Sequence, residues 1–143
     1  MSNATLGKFG YPDTVIEDGP VWTVLLRPDQ VTLGSLVLVC KEPAQAFSEL
    51  SKEAFADLHE VTGRIERSVH KAFSYDKINY LMLMMVDPDV HFHVIPRYAG
   101  LRRFADTVTR DAGWPGPPEL GRINDLDDTQ RDALRRHLIS LWG

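Results

Sequence analysis

Polar and apolar side chains alternate most sharply between Asp87 and Tyr98, where the chain reads DPDVHFHVIPRY. A period of two belongs to a half-buried strand, whose successive side chains point to opposite faces. The pattern predicts Asp89, His91 and His93 on one face, with Val90, Phe92 and Val94 pressed into a core. Pro96 has no ladder donor and is expected at or near the strand end. Two further apolar runs predict strands. Val21–Leu26 is one; Ser35–Cys40 is the other, rich in β-branched residues and Leu and so expected to be buried on both faces. Arg27 to Gln30 reads as the turn after the first, because Pro28 and Asp29 supply turn geometry. Lys77–Val86 is almost continuously apolar, which predicts a third strand at the centre of the sheet. Asp87-Pro88 then turns the chain into the histidine strand as a tight hairpin.

Elsewhere the period lengthens. Phe55, Leu58, Thr62, Ile65, Val69 and Phe73 recur every three or four positions and predict one long helix over Ser51–Phe73. Ser51 suits its N-cap, and Glu53 favours its first turn. A last helix is predicted over Asp127–Leu141, with Leu134, Leu138 and Leu141 as its stripe and Asp125, Asp127 and Asp128 complementing its dipole. Residues 1–20 read as irregular chain around Val15-Ile16. The stretch from Leu101 to Gly121 is rich in Gly, Pro and Arg and too long for a plain connector, so it is expected to cover a site or meet a partner. Strand–strand–helix–strand–strand is an α+β meander with the helix on one face. We divide its single domain into a segment 1–20, a core 21–100 and an extension 101–143.

Composition narrows the function. A chain of 143 residues holds one real core, and 43% hydrophobic with 25% charged residues is ordinary for a globular domain. Net charge of −4 gives no field for non-specific nucleic-acid binding, while leaving room for a local basic pocket. One cysteine, Cys40, excludes an internal disulfide framework and a multi-cysteine zinc site. The apolar runs fall short of a membrane span and the N-terminus lacks signal-peptide regions, so a cytoplasmic protein is expected.

Chemistry concentrates on the histidine strand. A neutral imidazole is a good nucleophile toward activated phosphorus and stays largely unprotonated near neutral pH. His93 lies about 6–7 Å along the strand from His91 and is placed to orient a phosphate. His59 and His70 read as surface or boundary residues, and His137 sits among charges with no evident role. The set Asp89, His91 and His93 also carries the ligand types of a facial metal site, although Asp89 and His93 are some ~13 Å apart on an extended strand.

The segment HFHVIPR resembles the end of the signature of the histidine-triad (HIT) hydrolase superfamily, in which histidines alternate with apolar residues before Pro-Arg. His91 matches the family's nucleophile and His93 its third histidine; Asp89 stands at the first, and Ser35 follows Gly34 where the family has a further histidine. Counted back from Ser35, Arg27 occupies the position of a ribose-binding acid or amide, and Met84-Met85-Val86 replaces polar phosphate-holding residues. The resemblance covers roughly 20–98 and implies a sheet of about five antiparallel strands with one long helix packed on it and a C-terminal helix. It implies a nucleotide hydrolase or nucleotidyl transferase acting on dinucleoside polyphosphates or phosphoramidates through a covalent nucleotidyl-histidine. His91 and His93 are then catalytic, with Arg27, Ser35, Asn79, Asp89 and Arg97 as nucleotide-binding candidates. It implies neither metal nor cofactor, a small-molecule nucleotide as partner, and a homodimer formed through the long helix and a sheet edge. A nucleotide-binding module without turnover, or a metal-binding protein using Asp89, His91 and His93, are the alternatives.

Overall fold

The computed structural model describes residues 3–143. Among these, Ala4–Lys8 forms a short helix (α1). Val15–Asp18 (β1), Trp22–Leu26 (β2), Leu36–Cys40 (β3), Lys77–Leu81 (β4) and His91–Arg97 (β5) form one antiparallel sheet in the order β1-β2-β3-β5-β4. Burial explains the order. β2 and β3 are buried at every position, so they take the centre, where β-branched and Leu side chains have neighbours on both faces. Lys52–Phe73 (α2) and Asp128–Ser140 (α3) pack on one face. Ser51 and Asp127 cap them through side-chain oxygens that accept from the N–H of Ala54 and Gln130. No helix of the described residues is long and apolar enough to cross a membrane.

The two faces carry different cores. Trp22, Val24, Leu26, Leu36, Leu38 and Val94 meet Val61, Ile65 and Val69 of α2 and Leu134 and Leu138 of α3. On the opposite face Leu25, Val37 and Val39 meet Phe9, just after α1. Val37 pairs with His93 and Val39 with His91. Directly paired residues project to the same side of a sheet, so both imidazoles stand on the small face, away from the long helix.

Four expectations are corrected. Residues 1–20 are not irregular throughout: they contribute α1 and the edge strand β1, the latter with a register irregularity between Val15 and Glu17. The Lys77–Val86 run stops pairing at Leu81, and β4 is the outer strand, not a central one. Met84 takes φ +47, a left-handed conformation that a strand cannot contain, so the apolar run leaves the sheet there. The tight hairpin at Asp87-Pro88 is therefore a long connection over residues 82–90. The buried stripe of α2 is rotated: Ala54, Val61, Ile65, Ser68, Val69 and Phe73 are buried, whereas Phe55 points outward beside Phe47.

The chain after β5 folds back over the sheet. Arg102–Phe104 (β6) and Thr107–Thr109 (β7) form a hairpin whose two turn residues, Ala105 and Asp106, have positive φ, as a two-residue turn of this hand requires. Next, the Asp111 carboxylate accepts from Arg97 Nε at 2.7 Å and Nη2 at 3.1 Å, and from the Tyr98 N–H at 3.1 Å. Arg97 donates its other bonds to Asn79 Oδ1 and the Gly116 carbonyl. Asn124 caps the assembly by donating to the carbonyls of Gln30 and Val31. His137, without an evident role in sequence, packs against Phe73 and Phe104.

Breaking the Arg97–Asp111 pair leaves an uncompensated buried charge. Asp111→Ala is expected to lower the unfolding free energy by roughly 3–5 kcal/mol, read from urea denaturation followed by tryptophan fluorescence.

Candidate functional site

The first residue of β5 sets the site. His91 is 1% exposed, and its Nδ1 lies 2.7 Å from the carbonyl oxygen of Asp89. A carbonyl only accepts, so Nδ1 carries the proton and Nε2 keeps its lone pair. Two residues on, His93 is 8% exposed, with its ring centre 5.2 Å from that of His91. Phe9 stands beside both rings, at 6.3 Å and 5.7 Å between centres. Its position comes from α1. Asn3 caps that helix through its side-chain oxygen and donates to the Cys40 carbonyl, while Thr5 Oγ1 donates to Asp89 at 3.0 Å.

The imidazoles open into a cavity of about 390 Å³. Arg27 and Asp29 enter from the turn after β2, and Lys8 and Phe9 from the N-terminal segment. Leu83 to Asp87 come from the connection before β5, and Leu120 from the C-terminal extension. The polar end holds two cations and two carboxylates. Lys8 pairs with Asp87 at 2.7 Å. Arg27 donates Nη1 to the Asp29 carbonyl at 2.7 Å and Nε toward His93 Nδ1 at 3.5 Å. Burial first, then the charge of Arg27 and the neighbouring His91, hold the His93 pKa down to about 4. Burial also lowers the pKa of Arg27, against the opposing pull of Asp29. The other end is apolar: Met85 is 86% exposed and Val86 83%, with Leu83 and Met84 beside them.

Of the residues picked out in sequence, the cavity gathers His91, His93 and Arg27. Ser35 is elsewhere, fully buried in the turn before β3, with its hydroxyl between the backbone oxygen and N–H of Thr32. Asn79 and Arg97 belong to the Asp111 network at the far end of the same sheet face. Asp89 precedes the strand instead of sharing its face. Its carboxylate is engaged by Thr5, and only its main-chain oxygen reaches His91. The alternative reading, a metal set of Asp89, His91 and His93, is therefore not met. Among the described residues no group of three or more His, Cys, Asp or Glu is arranged to hold a metal ion. His59 and His70 are exposed on α2.

Lys8, Phe9, Asp29 and Leu120 were not found from sequence. Only the apolar run that continues past the end of β4 at Leu81 to Val86 carried a signal of the lip. A second cavity, of about 380 Å³, lies between Asp13 and the Arg131–Arg135 stretch of α3. Its arginines pair with Asp128 and Asp132, and neither histidine nor cysteine is among the residues that line it.

With this geometry in hand, comparison with known proteins is informative. The family model described as HIT domain matches residues 11–100. No curated protein matches the chain. Among solved structures, a histidine triad protein of Bradyrhizobium japonicum superposes with a TM-score of 0.77 at 24% identity, over 100% of this chain and 98% of its own. One from Sinorhizobium meliloti gives 0.76 at 22%, over 99% and 96%. A third, from Marinobacter aquaeolei, gives 0.75 at 22%, over 99% and 94%.

The depressed His93 pKa has a consequence for stability. The unfolded chain takes up this proton below about pH 6.5, the ordinary value, whereas the folded protein resists it down to about 4. Stability is therefore expected to fall as pH drops through that window and to lose this contribution's slope below it. Urea midpoints of wild type and His93→Gln between pH 7 and 4 check this, the variant showing the shallower decline.

Proposed function

From the chain's membership of the HIT domain family, we propose that it is a nucleotide hydrolase or nucleotidyl transferase acting on nucleoside phosphate derivatives of the dinucleoside polyphosphate or phosphoramidate type. The observation that carries this reading is the His91 Nδ1–H bond to the Asp89 carbonyl, which turns an Nε2 lone pair toward a cavity with cations at its rim. The Nε2 of His91 attacks the α-phosphorus, and the bond from phosphorus to the leaving group breaks with its electron pair on the departing oxygen or nitrogen. That atom takes a proton from solvent. Water, or an acceptor hydroxyl in a transferase, then adds to the nucleotidyl-histidine; the N–P bond breaks and the imidazole is regenerated.

Each neighbouring group has a place in this reading. His93 and Arg27 meet the phosphoryl oxygens, and Lys8 supplies further positive potential. Phe9 keeps water from the nucleophile, and the lip of Leu83 to Val86 with Leu120 takes the base or another apolar part of the substrate. Asp89 acts through its main-chain oxygen on His91. Ser35, Asn79 and Arg97 support the site from outside the cavity. The N-terminal segment, the core and the C-terminal extension act as one unit, since all three reach the cavity wall. A nucleotide-binding module without turnover is the second reading. It draws on the same lip, which offers no side-chain donor to a phosphate. We extend the proposal to a homodimer, supported by the open edge of β4 and the outward Phe47 and Phe55.

His91→Ala is expected to reduce kcat roughly a thousandfold or more on the best of a nucleoside phosphoramidate and dinucleoside polyphosphate panel, with the thermal midpoint little changed. Wild type should yield an acid-labile nucleotidyl adduct on His91 by mass spectrometry. An adduct-free protein that binds AMP without turnover would favour the second reading, and activity surviving in the variant would sink the first. Sedimentation equilibrium should return twice the mass of one chain.

A further inference from the structure

Two arginines project from the region of the small sheet face, and their circumstances differ. Arg97 is fully engaged, by Asp111, Asn79 and the Gly116 carbonyl. Arg27 has no carboxylate within ion-pair distance among the described residues; it bonds the Asp29 carbonyl and turns its Nε–H to His93. Its place is fixed from both sides of the turn. The Arg27 N–H donates to the Ser35 carbonyl at 3.0 Å, and the Gln30 side chain donates to the Arg27 carbonyl at 2.7 Å.

A guanidinium has donors only and keeps its proton in proteins. The His93 nitrogen facing it must therefore present a lone pair. Protonating that nitrogen would set N–H against N–H and place a second positive charge beside the first. The proton of neutral His93 is left on Nε2. His91 is in the opposite state, because the Asp89 carbonyl demands its proton on Nδ1. Two rings 5.2 Å apart thus hold complementary tautomers, one a lone pair and the other a fixed donor. The remaining charges near His93, Lys8 and Asp87, are paired with each other.

We propose that Arg27 is a positioning residue: it holds His93 in the Nε2–H tautomer, so that His93 donates to an anionic phosphoryl oxygen while the neighbouring His91 lone pair faces the phosphorus. The inference rests on the proposed phosphoryl chemistry for its purpose, and on geometry alone for the tautomer. The same arrangement makes His93 a donor without ionising, in keeping with its pKa of about 4. His93 then adds no limb to the pH–rate profile near neutrality, and loss of Arg27 removes the second cause, after burial, that holds its ionisation down. Selection follows from the same donors. They suit a phosphoryl oxyanion, which carries its negative charge in the ground state as well as in the transition state.

The test is ring-nitrogen NMR on the full chain without ligand, labelled with 15N-histidine, for wild type, Arg27→Met and Arg27→Lys. Wild-type His93 is expected with Nδ1 unprotonated and Nε2 protonated down to about pH 4. In Arg27→Met the two tautomers should mix and the titration midpoint rise from about 4 while burial still holds it below the ordinary value, and the His91 signals, unmoved, report an intact cavity. Arg27→Lys should keep the wild-type tautomer by restoring a donor-only cation. In the same variants kcat/KM on a phosphoramidate is expected to fall about 10–100-fold for Met and less for Lys. A wild-type His93 protonated on Nδ1 would overturn the proposal, as would an Arg27→Met protein whose His93 tautomer and titration are unchanged. Since the spectra need no turnover, the expected tautomers in a protein inactive on every nucleotide would refute the hydrolase reading and leave the tautomer assignment standing.

Discussion

The pleat of β5 is the constraint on which the rest of the molecule depends. Its residues alternate between a face carrying His91, His93, Ile95 and Arg97 and a face carrying Phe92 and Val94. The second face belongs to the core beneath α2. A slip of one residue would exchange the faces, putting two imidazoles and a guanidinium under the helix and Val94 in the cavity. Unpaired polar groups in such a core cost on the order of 1–3 kcal/mol each. Two devices hold the register: β3, buried at every position, pairs with the strand's first half, and Arg97 is clamped at its end by Asp111.

That clamp links fold to site. Asp111 belongs to the extension beyond the sheet, and its bonds to Arg97 and the Tyr98 N–H draw the extension back over the small face. Leu120, a few residues on, lines the cavity. On the other side the N-terminal segment reaches the same cavity because Asp89 bonds Thr5 and Asn3 bonds the end of β3. The two ends of the chain thus meet at a cavity whose histidines and apolar lip come from its middle.

At the cavity of this acidic protein stand two cations, Arg27 and Lys8. Main-chain oxygens take up two of the site's donors: Asp89 O for His91 and Asp29 O for Arg27. A neutral acceptor orients the Arg27 guanidinium without cancelling its charge. The nearby carboxylates moderate this; Asp87 is bound to Lys8.

What the amino-acid order settled by itself was whatever repeats or caps within a few residues. The alternation DVHFHV announced a strand with both imidazoles on one side, the apolar runs at 21–26 and 35–40 announced two strands, the second buried on both faces, and Ser51 and Asp127 marked where helices begin. Tertiary structure alone decided which distant group each polar side chain meets. Arg97 is bound to Asp111 and Asn79 accepts from Arg97; Asp89, 84 positions from Thr5, holds α1 instead of facing the cavity. Even the exit of the chain from β4 at Leu81 was hidden, because KINYLMLMMV reads as strand to its end and a left-handed turn at Met84 leaves no mark on hydropathy. Local periodicity is a property of neighbouring side chains; the choice of hydrogen-bond partner depends on distances that only packing sets.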